Sequence, residues 1–160
     1  MAQKSTIEVK APARADSAAG HKAATEVNDA AHDMSAAQTQ RELGRKGEEA
    51  AAVFLQNLGQ RIVMRNWRCR FGEVDLITQD GDTFVFCEVK TRKSVRAGQP
   101  AEAITIKKQR KYSLLAALWL SRFQEGECAV RFDVVSIVVL GPHRARLTLT
   151  KDAFGQIEGL

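Results

Sequence analysis

Residues 73–92 constrain this chain more than any other stretch. Glu73–Thr78 and Thr83–Thr91 are rich in Val, Ile, Leu, Phe and Thr, and the turn-forming Asp80-Gly81-Asp82 lies between them, so they read as the two strands of a hairpin. Side chains alternate along a strand. Phe84, Phe86, Glu88, Lys90 and Arg92 therefore share one face, and Val85, Cys87 and Val89 the other. Glu88 and Lys90 project side by side, about 7 Å apart. On the preceding strand Glu73, Asp75 and Ile77 share a face. A two-residue loop sets Asp75 against Phe86 and diagonal to Glu88, and a four-residue loop sets it directly across from Glu88. Both registers bring Asp75, Glu88 and Lys90 to one face, whereas an unbulged three-residue loop would separate them.

Two carboxylates and a lysine beside apolar strands match the needs of metal-assisted phosphodiester hydrolysis. Asp75 and Glu88 can hold a hard cation, Mg2+ or Mn2+, and leave room for a phosphate oxygen and a water. Such a cation activates the water and stabilises charge at phosphorus. Lys90 can orient or deprotonate the water, or neutralise the charge that develops. The plainer alternative is a solvated strand face with a cross-strand ion pair, worth about 0.2–1 kcal/mol. Phe84 and Phe86 on the same face do not suit a fully wet surface, and so weaken that alternative.

The rest of the chain narrows the choice. Histidines 21 and 32 lie in the first 40 residues and only His143 in the body, while Cys69, Cys87 and Cys128 are widely spaced. That pattern fits neither a zinc signature nor a disulfide framework, and points to a reducing cytoplasm. No apolar run approaches the ~20 residues of a membrane span, and no compact apolar stretch near the N-terminus predicts a secretory signal. Of 24 basic and 19 acidic residues, four and five fall in residues 1–40, which leaves a net charge of +6 on residues 41–160. The sign is that of a domain with a polyanionic partner.

Residues 1–40 are alanine-rich and contain no aromatic residue. They are expected to form a disordered tail, with at most a fraying helix near Ala23–Ala37. Residues 41–160 are expected to form one domain. Its first helix runs from Arg41 to Leu58, ends at a Gly59 cap, and buries Leu43, Gly47, Ala50, Phe54, Leu55 and Leu58. Arg61–Arg65 reads as a strand and is followed by a separate basic, aromatic segment through Phe71. After the hairpin come a polar loop, a helix of roughly Ala101–Phe123, a covered strand Val130–Leu140 and a further strand Arg144–Thr150. The order gives an α/β fold: a mixed sheet flanked by helices.

Three basic groups surround the hairpin and suit a nucleic-acid backbone: Arg65, Arg68 and Arg70 with Trp67 and Phe71; Arg92, Lys93 and Arg96; and Lys107, Lys108, Arg110 and Lys111 on the second helix. Trp67 reads more readily as a core anchor than as a base-stacking group. Asp133 and Cys87 read as structural.

Gly47-Glu48, Arg65-Asn66-Trp67-Arg68, Gly72-Glu73-Val74-Asp75-Leu76-Ile77, Phe86-Cys87-Glu88-Val89-Lys90-Thr91-Arg92 and Arg131-Phe132-Asp133-Val134-Val135 occur in that order. Together they resemble the YraN family of endonuclease-like proteins, similar in fold to archaeal Holliday-junction resolvases within the PD-(D/E)xK nuclease superfamily. The resemblance spans roughly Arg41 to Leu149. It implies a restriction-endonuclease-like, resolvase-like core with Asp75, Glu88 and Lys90 as the metal-binding and catalytic set, and Glu48 as an additional helical acid. Some superfamily branches carry Gln and Tyr four apart after the lysine; Gln109 and Tyr112 are three apart and receive no catalytic role. Resolvase-like relatives act as dimers, so a homodimer is implied, with no interface legible. The expected function is a cytoplasmic Mg2+- or Mn2+-dependent endonuclease acting on DNA, branched or structured DNA included. The alternative is a nucleic-acid-binding protein that keeps the nuclease fold with little or no activity.

Overall fold

A computed structural model of the chain describes residues 3–10, 29–93, 104–123 and 126–155. Among these, β1 (Lys4–Lys10), α1 (Asp29–Asn57), β2 (Arg61–Cys69), β3 (Gly72–Asp80), β4 (Thr83–Arg92), α2 (Ile106–Phe123), β5 (Ala129–Gly141) and β6 (Arg144–Thr150) build one mixed α/β unit. The strands form a single sheet in the order β1-β6-β5-β4-β3-β2. Only β4 and β5 run parallel, joined through α2, and the other neighbours are antiparallel. β5 lies between β4 and β6, and its apolar residues enter the cores on both faces of the sheet, Phe132 and Val134 on one and Val135 and Ile137 on the other.

The alternation of β4 divides the core in two. Phe84 and Phe86 face α2 and pack with Trp67, Tyr112, Leu115, Trp119 and Phe132. Cys87 faces α1 with Leu76, Ala51, Phe54, Leu55, Val135 and Ile137. One helix thus covers each face. Trp67 is a core residue, as expected, and all three cysteines are free.

Four expectations require correction. Residues 1–40 are not wholly a tail. Lys4–Lys10 pairs with β6 along its length, and α1 begins at Asp29, while residues 11–28 lie outside the described ones. The buried stripe of α1 is Gly47, Ala51, Ala52, Phe54 and Leu55, with Ala50 and Leu58 exposed. The helix approaches β4 so closely that a Cβ on Gly47 would stand 1.9 Å from Thr91 Oγ1, and such proximity selects alanine at the sheet-facing positions. The Gly59 stop holds. Gly59 has φ 89°, and the amides of Gly59 and Gln60 return to the carbonyls of Gln56 and Leu55 at 2.9 and 3.0 Å, a Schellman closure.

The other two concern β2 and α2. β2 does not end at Arg65: it runs to Cys69, paired with β3 as far as Cys69↔Gly72, with a register shift between Ile62 and Met64. The basic aromatic segment is therefore an edge strand and its turn. α2 starts at Ile106, where Thr105 caps it by accepting the Lys108 amide at 3.3 Å, and residues 101–103 lie outside the described ones.

Candidate active site

The hairpin closes on Asp80↔Thr83, which leaves Gly81-Asp82 as its loop, with Gly81 at φ 61°. The register continues to Leu76↔Cys87, so its extension sets Asp75 across from Glu88. This corrects the expectation that a two-residue loop sets Asp75 against Phe86: Asp80 and Thr83 still pair, so the two-residue loop gives the pairing expected of a four-residue one. Past Leu76↔Cys87 the backbone ladder stops. The carboxylate of Asp75 takes over: its Oδ2 accepts the Val89 amide at 2.8 Å.

Asp75 is part-buried, and its carboxyl is pushed up to about 7. Burial is the main cause, and the negative charges of Glu88, Glu48 and Glu73 add to it, while the Val89 amide opposes them. Asp75 thus sits in a poorly solvated place within reach of three other acids, of which Glu73 is exposed and paired with Arg68. Glu48 is half-buried on α1 and lines a groove of about 200 Å³ with Arg45, Glu49, Arg65, Asn66 and Leu76. There it acts on Asp75 through space rather than by contact. Asn66, opposite this stretch of β3, holds a left-handed φ of 51°.

Glu88 is engaged by α2. Lys108 Nζ pairs with its Oε1, and the Tyr112 hydroxyl donates to its Oε2. Burial and the adjacent carboxylates hold the Tyr112 phenol far above its usual range, so it stays protonated and a donor. Lys90 follows two residues after Glu88 on the same strand face; it is half-buried and has no ion-pair partner among the described residues.

The predicted basic groups fall in different places. Arg65, Arg68 and Arg70 are exposed on β2 and its turn. Arg68 pairs with Glu73 at 3.0 Å, and the Arg70 guanidinium lies 4.6 Å from the centre of the exposed Phe71 ring. Lys107, Arg110 and Lys111 are exposed on α2, with Lys111 over Gly72. Lys108 departs from the expectation of a free phosphate-binding lysine, because Glu88 already holds it. Arg92 is half-buried, Lys93 is exposed, and Arg96 lies outside the described residues.

The role of Tyr112 in the site was missed. Its signal in the sequence was the spacing Lys108-x-x-x-Tyr112, which sets a cation and a phenol on one helix face. Asp133 is structural, as expected. Fully buried, it takes Arg131 Nε at 2.9 Å and the Asp152 amide at 2.9 Å, while Arg131 also binds Asp80 at 2.8 Å.

Asp75 and Glu88 could offer a cation oxygen donors alone, the kind a hard cation takes, although the Lys108 ammonium now pairs with Glu88. Among the described residues no three Asp, Glu, His or Cys side chains come together as a group that could hold a metal ion. A separate apolar groove of about 540 Å³, lined by Ile7, Val9, Leu43, Phe54, Ile137 and Leu147, holds none of these residues.

The model of the uncharacterised protein family UPF0102 matches residues 47–137, which contain Glu48, Asp75, Glu88, Lys90, Lys108 and Tyr112. The chain belongs to the UPF0102 family. It is 47% identical over 112 residues to a UPF0102 protein of Nocardia farcinica, which covers 70% of this chain and 88% of that one. To the UPF0102 protein of Caldicellulosiruptor saccharolyticus it is 45% identical over 115 residues, 71% of this chain and 98% of the other. To that of Geobacter sulfurreducens it is 46% identical over 112 residues, 70% and 88% respectively. Among the described residues no helix is long and apolar enough to cross a membrane.

Proposed function

We propose that this protein is a Mg2+- or Mn2+-dependent endonuclease with a restriction-endonuclease-like, resolvase-like core, and that it hydrolyses phosphodiester bonds in DNA. The observation that carries this reading is Asp75 beside Glu88 across neighbouring strands, with Lys90 next on the same face, in a poorly solvated place within reach of other acids. The resemblance to the YraN family and its nuclease superfamily adds support. Asp75 and Glu88 would hold the cation, which supplies Lewis acidity and a more acidic water. Lys90 orients that water or offsets charge on the phosphate, and the Tyr112 hydroxyl keeps Glu88 oriented. Glu48, across the strand edge on α1, adds negative charge that favours the cation. The exposed Arg65 and Arg68 on the edge strand and Arg70 in its turn carry the backbone of the nucleic acid. Free cysteines accompany a cytoplasmic place of action.

The test is cleavage of linear, flapped and four-way DNA with Mg2+, Mn2+ or chelator. Cutting that requires the cation supports the reading, and cutting that survives chelator overturns it. One observation favours a second reading, a nucleic-acid-binding protein with little catalysis: both oxygens of Glu88 already have partners on α2. Salt-sensitive DNA binding without cleavage under any cation would select it.

A further inference from the structure

The two partners of Glu88 differ in kind. Tyr112 is fixed: it is 2% exposed and packs edge-on against Phe132 and Phe154 at 6.5 and 5.9 Å between ring centres. Phe154 is itself stacked on Phe132 at 4.9 Å. Lys108 sits on a flexible stem one turn earlier on α2, its side chain 35% exposed against 14% for that of Glu88. Its ammonium lies 5.9 Å from the centre of the Tyr112 ring. One oxygen of Glu88 thus has a rigid neutral donor, and the other a mobile cation.

We propose that Lys108 is an internal counter-ion that exchanges with the divalent cation at Glu88, and that its release hands an ammonium to a phosphate of the bound nucleic acid. The inference rests on the reading of Asp75 and Glu88 as cation ligands. A divalent ion at Glu88 and an ammonium in contact with the same carboxylate repel each other at close range, so the mobile charge leaves. The Tyr112 hydroxyl is uncharged and has no reason to move, so Oε2 keeps its donor while Oε1 changes partner. The exchange then needs only one unbranched side chain to swing. The surface it swings toward is basic: Lys107, Arg110 and Lys111 are exposed on the same helix, and Lys111 lies over the turn that carries Arg70. By linkage, cation and phosphate then strengthen each other's binding by the same factor.

The experiment measures Mn2+ affinity of the full chain by electron paramagnetic resonance, without DNA, for the parent, Lys108→Met, Glu88→Gln and Asp75→Asn. The anisotropy of a labelled duplex is followed with and without Mn2+, in a Lys90→Ala background that slows cutting, over times at which the duplex is verified to be intact. Removing the resident ammonium raises Mn2+ affinity about tenfold. Mn2+ raises duplex affinity in both proteins, because the cation itself meets a phosphate oxygen, and raises it several-fold more in the parent than in Lys108→Met; an equal rise in both overturns the exchange. Unchanged or weaker Mn2+ binding in Lys108→Met, with binding lost in Glu88→Gln, overturns the exchange and leaves Lys108 as a fixed partner. Mn2+ affinity that ignores both Glu88→Gln and Asp75→Asn overturns the underlying metal reading, and the exchange with it.

Discussion

Replacing Asp75 by asparagine should make the cation-free protein more stable at neutral pH, by an amount that grows from pH 4 to pH 7. The folded protein raises this carboxyl to about 7, chiefly through burial. It therefore holds the proton more tightly than the unfolded chain, where an aspartic acid titrates near 4. The stabilising contribution of the protonated group is complete below about pH 4 and is lost as pH rises through about 7. Roughly three pH units at about 1.4 kcal/mol each set a ceiling of about 4 kcal/mol. Residual exposure and coupling to Glu88 bring the expected difference to about 2–4 kcal/mol. Asparagine can keep the hydrogen bond from the Val89 amide, so the substitution isolates the charge. The assay is urea denaturation of both proteins from pH 4 to 8 in chelator, scored as the difference between them, so that titrations common to both cancel. A difference that stays flat across that range would refute the argument that burial and neighbouring acids burden Asp75.

Three further outcomes follow from the packing and the charges. Arg131→Met should cost about 3–5 kcal/mol in denaturant unfolding, because it strands the fully buried Asp133 without its guanidinium; a loss below about 1 kcal/mol would contradict the buried pair. Gly47→Ala should cost about 1–3 kcal/mol, since the new methyl meets Thr91, and adding Thr91→Ala should restore much of it; purely additive losses would place the strain elsewhere. Joint replacement of Arg65, Arg68 and Arg70 by glutamine should lower the log–log salt slope of duplex binding by about 0.9 for each phosphate no longer neutralised. A parental slope would move the nucleic acid off the β2 edge.

The hairpin was legible because two local signals agreed there. Asp80-Gly81-Asp82 supplies the turn, and the period-two alternation of Thr83–Arg92 divides Phe86 and Glu88 from Cys87 and Val89. The stop of α1 was legible for the same reason, since Gly59 offers a left-handed φ at little cost. β1 was not. Its seven residues form an edge strand held by β6, which lies about 140 residues away in sequence (Lys10↔Arg144 is 134 apart, Lys4↔Thr150 is 146), and no local pattern announces such a pairing. The alanines of α1 misled for a related reason. Which of Ala50, Ala51 and Ala52 is buried depends on the rotation at which the helix docks on the sheet, with Gly47 against Thr91, a property of the packed pair rather than of the helix. In the candidate site, the meeting of Asp75 and Glu88 followed from strand register. The grip of Lys108 and Tyr112 on Glu88 depended on where α2 crosses the sheet, which helical spacing alone does not specify.

The central claim is that Asp75, Glu88 and Lys90 form a cation-dependent phosphodiesterase centre. The most direct measurement compares the Mn2+-dependent cleavage rate of the parent with those of Glu88→Gln and Lys90→Ala, on the substrate the parent cuts fastest. Loss of the several kcal/mol attributed to this centre lowers both rates by ~100-fold or more, with the fold retained by circular dichroism. Glu88→Gln cutting at the parental rate, in a preparation free of contaminating nuclease, would contradict the account.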